Sequence, residues 1–144
     1  MPETKPFDLV DFLPYLLNQA AEKTGIGFQA TYKARYGLLR TEWRVLFHLG
    51  RYGDMTAKDI CDRARLHKTK VSRAVKALET RRYLTRRELP QDRRNEVLSL
   101  TRTGQVLYRD LSISARDYDA VLARTLSAEE NRVLRGCLKK LAGF

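Results

Sequence analysis

The sequence predicts a mainly α domain that carries one small β-hairpin. Three observations lead there. Apolar residues recur at i, i+3, i+4 and i+7 in several separate stretches, as one face of a helix requires. Two stretches open on a hydroxyl followed three residues later by an acid, Thr56 with Asp59 and Ser127 with Glu130, the pattern of a helix start. A single region, "YLTRRE" to "EVLSLT", places apolar and β-branched residues on both sides of a Pro-Gln-Asp-Arg-Arg turn, as a two-stranded hairpin does.

Taken in order, the first helix carries Leu13, Leu16, Leu17 and Ala20 on one stripe, which Phe28 and Tyr32 extend toward Tyr36. Pro14 suits its first turn, where a missing N–H costs nothing, while Gly25 and Gly27 should loosen its middle. Thr41 can cap the next helix, "TEWRVLFHLG", which Gly50 and Gly53 should end. Trp43, Val45, Leu46, Phe47 and Leu49 leave that helix almost no polar face, so it belongs at the centre. A short helix then runs from the Thr56 cap to about Ala64. The stretch "LHKTKVSRAVKALE" follows as another helix with two opposed stripes. Val71, Ala74, Val75 and Leu78 form the apolar one. Thr69, Ser72, Arg73 and Lys76 form the other, displaced by roughly 200° at about 100° per residue. After the hairpin, Thr103 should open a long helix with Leu107, Leu111, Tyr118 and Leu122. The Ser127 box opens the last, whose stripe is Leu134, Cys137, Leu138 and Leu141.

The chain has 144 residues, enough for one domain with a real core. It has no apolar run approaching the roughly 18 residues of a membrane span. "MPETKPFDLV" lacks the basic and apolar regions of a secretion signal. The expectation is a cytoplasmic protein with no membrane partner, in which Cys61 and Cys137 are small hydrophobes rather than a bridge. Lys and Arg number 28 against 17 Asp and Glu, a net charge of +11. Between Arg63 and Arg102 stand thirteen cations and four acids, a surplus of nine that holds most of that excess in 40 residues. A field of that sign attracts polyanions, and nucleic acid is the commonest. The sequence shows no carboxylate cluster for Mg²⁺, no Gly-rich phosphate loop and no Cys/His pair at metal spacing. It therefore reads as neither an enzyme nor a holder of a metal or cofactor.

A short helix, a tight turn, a helix with a basic outer face and a basic-tipped hairpin compose a winged helix-turn-helix. Such a helix fits the major groove of B-DNA. Arg73 can bond guanine O6 and N7 together. Thr69 and Ser72 can bond base edges or phosphates. Lys68, Lys70 and Lys76 suit phosphate contacts that position the helix. Arg93 and Arg94, at the hairpin tip, can reach an adjacent minor groove. His67, at the helix start, reads as a cap or a phosphate contact.

The run "DRRNEVLSLTRTG" resembles the wing signature of the MarR regulators, D-x-R and then an apolar strand ending L-T-x-x-G, here Asp92, Arg94, Leu98, Leu100, Thr101 and Gly104. "RTEWRVLFHL", "KTKVSRAVKALE" and the final helix pair follow the same order, so the resemblance spans about Phe12 to Leu141. It departs where the family usually has glycine after the recognition helix and this chain has Arg82. A left-handed arginine there costs on the order of 1 kcal/mol. The resemblance implies a homodimer, with a DNA-binding lobe over 41–102 and a dimerisation region from helices in 8–36 and 103–142. It implies a repressor of a pseudo-palindromic operator, with Asp92 orienting Arg94. It further implies release by a small aromatic or phenolic effector bound between the two regions, for which Tyr15, Trp43, Phe47 and His48 are candidates. The same four residues also read as core or as a satisfied histidine. An alternative from another class stays open: a winged-helix protein with an architectural or RNA-binding role and no effector.

Overall fold

The recognition stripe and its apolar counterpart fall on opposite sides of one helix, and the rest of the fold is built around that division. The structure, a computed structural model, describes residues 4–144 apart from the side chain of Arg93. After a single 3-10 turn at Leu9–Asp11, the elements are α1 (Leu13–Tyr36), α2 (Arg40–Tyr52), β1 (Met55–Thr56), α3 (Ala57–Ala64) and α4 (Lys68–Thr80), followed by β2 (Leu84–Leu89), β3 (Asp92–Leu100), α5 (Arg102–Ala123) and α6 (Ala128–Ala142). None of the described helices is long and apolar enough to cross a membrane.

α1 opens on Pro14 as expected and runs unbroken through Gly25 and Gly27 to a left-handed cap at Gly37. Only its far end is core: Phe28 and Tyr32 are buried, whereas Leu13 and Leu16 are about half exposed, at 50% and 42%. α2 lies at the centre, with Val45, Leu46 and Leu49 buried. It begins at Arg40, and Leu39 holds the cap position without a side-chain bond, so Thr41 is inside the helix rather than its cap. Gly50 does not end it either. A Cβ at Gly50 would meet the Tyr108 ring of α5 at 2.4 Å, so the residue is small because α5 packs there. Gly53, at φ 81°, ends the helix.

Thr56 and Asp59 form the expected reciprocal cap of α3, each backbone N–H donating to the other's side chain at 3.1 Å. Val71, Ala74, Val75 and Leu78 of α4 are buried, and Thr69, Ser72, Arg73 and Lys76 are exposed. Arg82, just past α4, has φ 63°. It takes the left-handed conformation that a glycine adopts without steric cost. The wing is a three-stranded antiparallel sheet in the order β1-β3-β2. Its third member, the two-residue β1, pairs Met55 with Leu98 and Thr56 with Val97. α5 starts one residue before Thr103. Thr101 is the cap, its hydroxyl accepting from Gly104 N–H at 3.0 Å. α6 has the predicted Ser127/Glu130 box.

One core joins α2, α4, the sheet base, the end of α1 and the first half of α5. α6 contributes no buried residue to it. Val133, Leu134, Leu138 and Leu141 are 38% to 57% exposed, and so are most apolar residues from Leu9 to Leu16. Cys61 is half-buried, Cys137 is exposed, and both are free thiols.

Candidate nucleic-acid interface

The surface is organised from the start of α4. His67 caps it through the Nδ1 that accepts the Thr69 N–H at 3.2 Å, which makes the cap reading of His67 the structural one. The next turns expose Lys68, Thr69, Lys70, Ser72, Arg73 and Lys76. Among the described residues, no carboxylate pairs with any of these four cations or with Arg94. Their charge is therefore available to a polyanion.

Between α3, α4 and β3 lies a groove of about 600 Å³. Lys68 and Ser72 line it from α4, and Arg94 lines it from the wing. The structure thus brings three predicted residues to one concavity. Lys70, Arg73 and Lys76 lie outside its lining on the exposed flank of the helix, and the side chain of Arg93 lies outside the described residues. Two further lining residues, Lys58 and Asn95, were missed from sequence. Their signals were available: Lys58 stands in the first turn of a capped helix, and Asn95 follows the basic pair of the turn.

Asp92 acts on the wing's backbone. Its Oδ1 accepts the Arg94 N–H at 3.0 Å, and its Oδ2 accepts from Asn95 Nδ2 at 3.0 Å. The tip is thereby held in a fixed turn, while the Arg94 guanidinium has no acid within 4 Å among the described residues, although Asp62 and Glu96 line the same groove.

A second cleft, of about 380 Å³, lies between α1, α2 and α5. Of the four effector candidates, only Trp43 lines it, together with Phe28, Tyr32, Arg40, Arg44 and Tyr118. Trp43 Nε1 is buried without a hydrogen-bond partner, an arrangement proteins usually avoid because an unpaired donor keeps its full desolvation penalty. Burial, and then the neighbouring charge of Arg40, pushes the Arg44 guanidinium below its usual pKa. The cleft therefore sets charged groups of both signs, Arg40 and Arg44 with Glu22 and Asp119, beside aromatic side chains, and Arg40 is paired with Glu22 at 3.4 Å. Phe47 instead packs into the core between Trp43 and Tyr108, at centroid distances of 5.2 and 5.3 Å. His48 is satisfied by the Arg44 carbonyl at 2.7 Å. Tyr15 stands on the first turn of α1, away from the cleft lining.

Comparison with known proteins matches residues 36–95 to a model of the MarR family. An uncharacterized HTH-type transcriptional regulator, YwoH of Bacillus subtilis (strain 168), is 26% identical over 95 residues, 66% of this chain and 69% of that one. A MarR/EmrR family transcriptional regulator from Acinetobacter sp. ADP1 superposes with a TM-score of 0.83 at 29% identity, covering 95% of this chain and 96% of the other. BpsR of Bordetella bronchiseptica shares the fold, with a TM-score of 0.83 at 21% identity over 96% and 98% of the two chains. The family model lies on the helix-turn-helix and wing, and the structural likeness to MarR/EmrR regulators extends over the flanking helices.

Proposed function

We propose that this chain is a transcriptional regulator of the MarR family, a cytoplasmic homodimer that represses by binding a pseudo-palindromic DNA operator and is released by a small aromatic effector. The observation that carries the reading is the exposed basic flank of α4, whose cations have no carboxylate partner among the described residues, with Lys68 and Ser72 sharing a groove with Arg94 of the wing. Residues 41–102 form the DNA-binding lobe. Arg73 reads a base, Lys68, Lys70 and Lys76 hold phosphates, Thr69 and Ser72 bond either, and Arg93 and Arg94 enter the minor groove.

Helices within 8–36 and 103–142 build the dimer. The support is their exposed apolar surface, including Leu138 at 38% and Leu141 at 57%, which a monomer would leave in water. Two recognition helices related by a two-fold axis then reach half-sites about 34 Å apart. The effector belongs in the cleft at Trp43. A carboxylate or phenolate there meets Arg44 while its ring lies against the aromatic lining of Phe28, Trp43 and Tyr118. The BpsR structure is described as showing regulation of DNA binding by 6-hydroxynicotinic acid, an aromatic acid of the kind this cleft would take.

The test uses the duplex that the wild-type protein enriches from a randomised library. If the dimer neutralises roughly 6 to 10 phosphates, log K should fall with log salt at a slope of about −5 to −9. Arg73→Ala should lose about 1–3 kcal/mol on that duplex and relax preference at one position per half-site. Arg94→Ala should lose most affinity where A·T pairs flank the site and should make the slope shallower by about one per wing. A slope shallower than about −2, or wild-type binding by Arg73→Ala, would remove the basis of the reading.

A further inference from the structure

Arg86 belongs to the basic stretch by sequence, yet the structure sets it apart from the cations around it. In the β2–β3 register Leu84 faces Leu100, Arg86 faces Leu98, and Glu88 faces Glu96. Leu84 and Leu98 are each 1% exposed. Because side chains alternate along a strand, Arg86 lies on the same inner face, one step beyond the core, and it lines the groove beneath the recognition helix. Its Nε lies 3.1 Å from Glu79 Oε2, in the last turn of α4, and its Nη1 lies 3.6 Å from Glu96 Oε2, on β3. One planar guanidinium thus spans the recognition helix and both strands of the wing. It also answers a repulsion, since Glu88 and Glu96 are cross-strand partners of like charge.

We infer that Arg86 is a positioning residue, which sets the angle of the wing against the recognition helix and does not itself contact DNA. The inference rests on the DNA-binding reading above. From Leu98 to Arg94 the strand rises about 13 Å, at about 3.3 Å per residue. A rotation of about 10° at the base would therefore move the Arg94 backbone by about 2 Å, more than a hydrogen bond tolerates. Each pair is about one-third exposed and adds little to stability. Losing one should change where the tip points rather than whether the chain folds.

The sign of one substitution separates this role from a simple charge effect. Glu96→Gln removes a negative charge from a surface that meets a polyanion, so electrostatics alone predicts tighter binding. Positioning predicts weaker binding, by about tenfold on the enriched duplex. Hydroxyl-radical protection should disappear at the wing-proximal flanks and persist at the major-groove positions. Glu79→Gln should shift in the same direction from the helix side, so the test survives if either variant folds poorly. Arg86→Met should match both in footprint and in salt slope, because all three variants lose the wing contact of Arg94 and no other. Unchanged or tighter binding by both glutamine variants would overturn the inference. So would an Arg86→Met slope shallower than those of the two glutamine variants by about one per wing, which would make Arg86 itself a phosphate contact. If the wild-type protein enriches no duplex at all, the DNA-binding reading fails first and this inference falls with it.

Discussion

The Tyr36 phenol donates to Asp110 Oδ2, joining the last turn of α1 to the middle of α5. That hydrogen bond, then burial and the Asp110 charge, raises the phenol's pKa above the ordinary 10.0. The folded chain therefore holds this proton to higher pH than the unfolded chain does. Its contribution to stability is complete below about pH 10 and declines as pH rises from there through the folded value. Tyr36→Phe should melt lower than wild type by a constant margin from about pH 7 to about pH 9, and the margin should narrow above about pH 10. Thermal melts of the two proteins in parallel buffers check this, and a margin that widens with alkali would contradict it.

Arg82→Gly should stabilise the protein slightly. The arginine at φ 63° gives up about 1–2 kcal/mol in the left-handed region. Glycine gives back about 0.5–1 kcal/mol through the greater freedom of its unfolded chain. The balance is a gain of about 0.5 kcal/mol, or about 1–2 °C in Tm. A fall in Tm would mean that the Arg82 side chain makes a contact worth more than its strain.

Gly104→Ala should be among the most damaging small substitutions available. A Cβ there would lie 2.0 Å from the Tyr83 carbonyl oxygen, which is backbone and cannot swing aside. Separating α5 from the base of the wing costs about 3 kcal/mol, read as a Tm lower by about 6–12 °C. A variant melting within a degree of wild type would show that α5 shifts freely.

Leu138→Glu should leave the protomer folded and break the proposed dimer. The side chain is 38% exposed in the protomer, so the change leaves the core intact. A two-fold interface would bury two such charges at once. Sedimentation velocity should show dissociation constants at least about a hundredfold higher than wild type. A variant that stays fully dimeric would place the interface elsewhere.

What the sequence disclosed and what it concealed divide along physical lines. The opposed stripes of α4 were legible because a helical period places residues three and four apart on one face. The Thr56/Asp59 and Ser127/Glu130 caps were legible because every atom of such a box lies within four residues. β1 was not, being two residues long and defined only by pairing with a strand some 40 positions away. Gly50 looked like a terminator because its reason, the ring of Tyr108, lies on another helix. Thr41 and Thr103 were plausible caps on residue type alone, and each lies just inside the helix it was expected to open. For the site, the exposed cations of α4 followed from the stripe. The bridge from Arg86 to Glu79 and Glu96 needed the register of the hairpin, and the cleft at Trp43 needed three helices to converge. Phe47 and His48 share a helix with Trp43, but their positions around it send one into the core and the other to its own backbone.

Trp43 is the only tryptophan among 144 residues, and it lines the cleft with its indole N–H unpaired. The chain therefore carries a built-in optical reporter at a single known place. Selective excitation of that indole would give an emission spectrum with one origin, undiluted by other indoles. A molecule entering the cleft would change its colour and lifetime by exchanging the surroundings of the ring. A molecule held at the wing or the recognition helix would leave that light almost unchanged. Occupancy of the cleft can thus be followed without a label, in the same cuvette as a labelled duplex, so that filling of the cleft and departure from DNA are timed against each other.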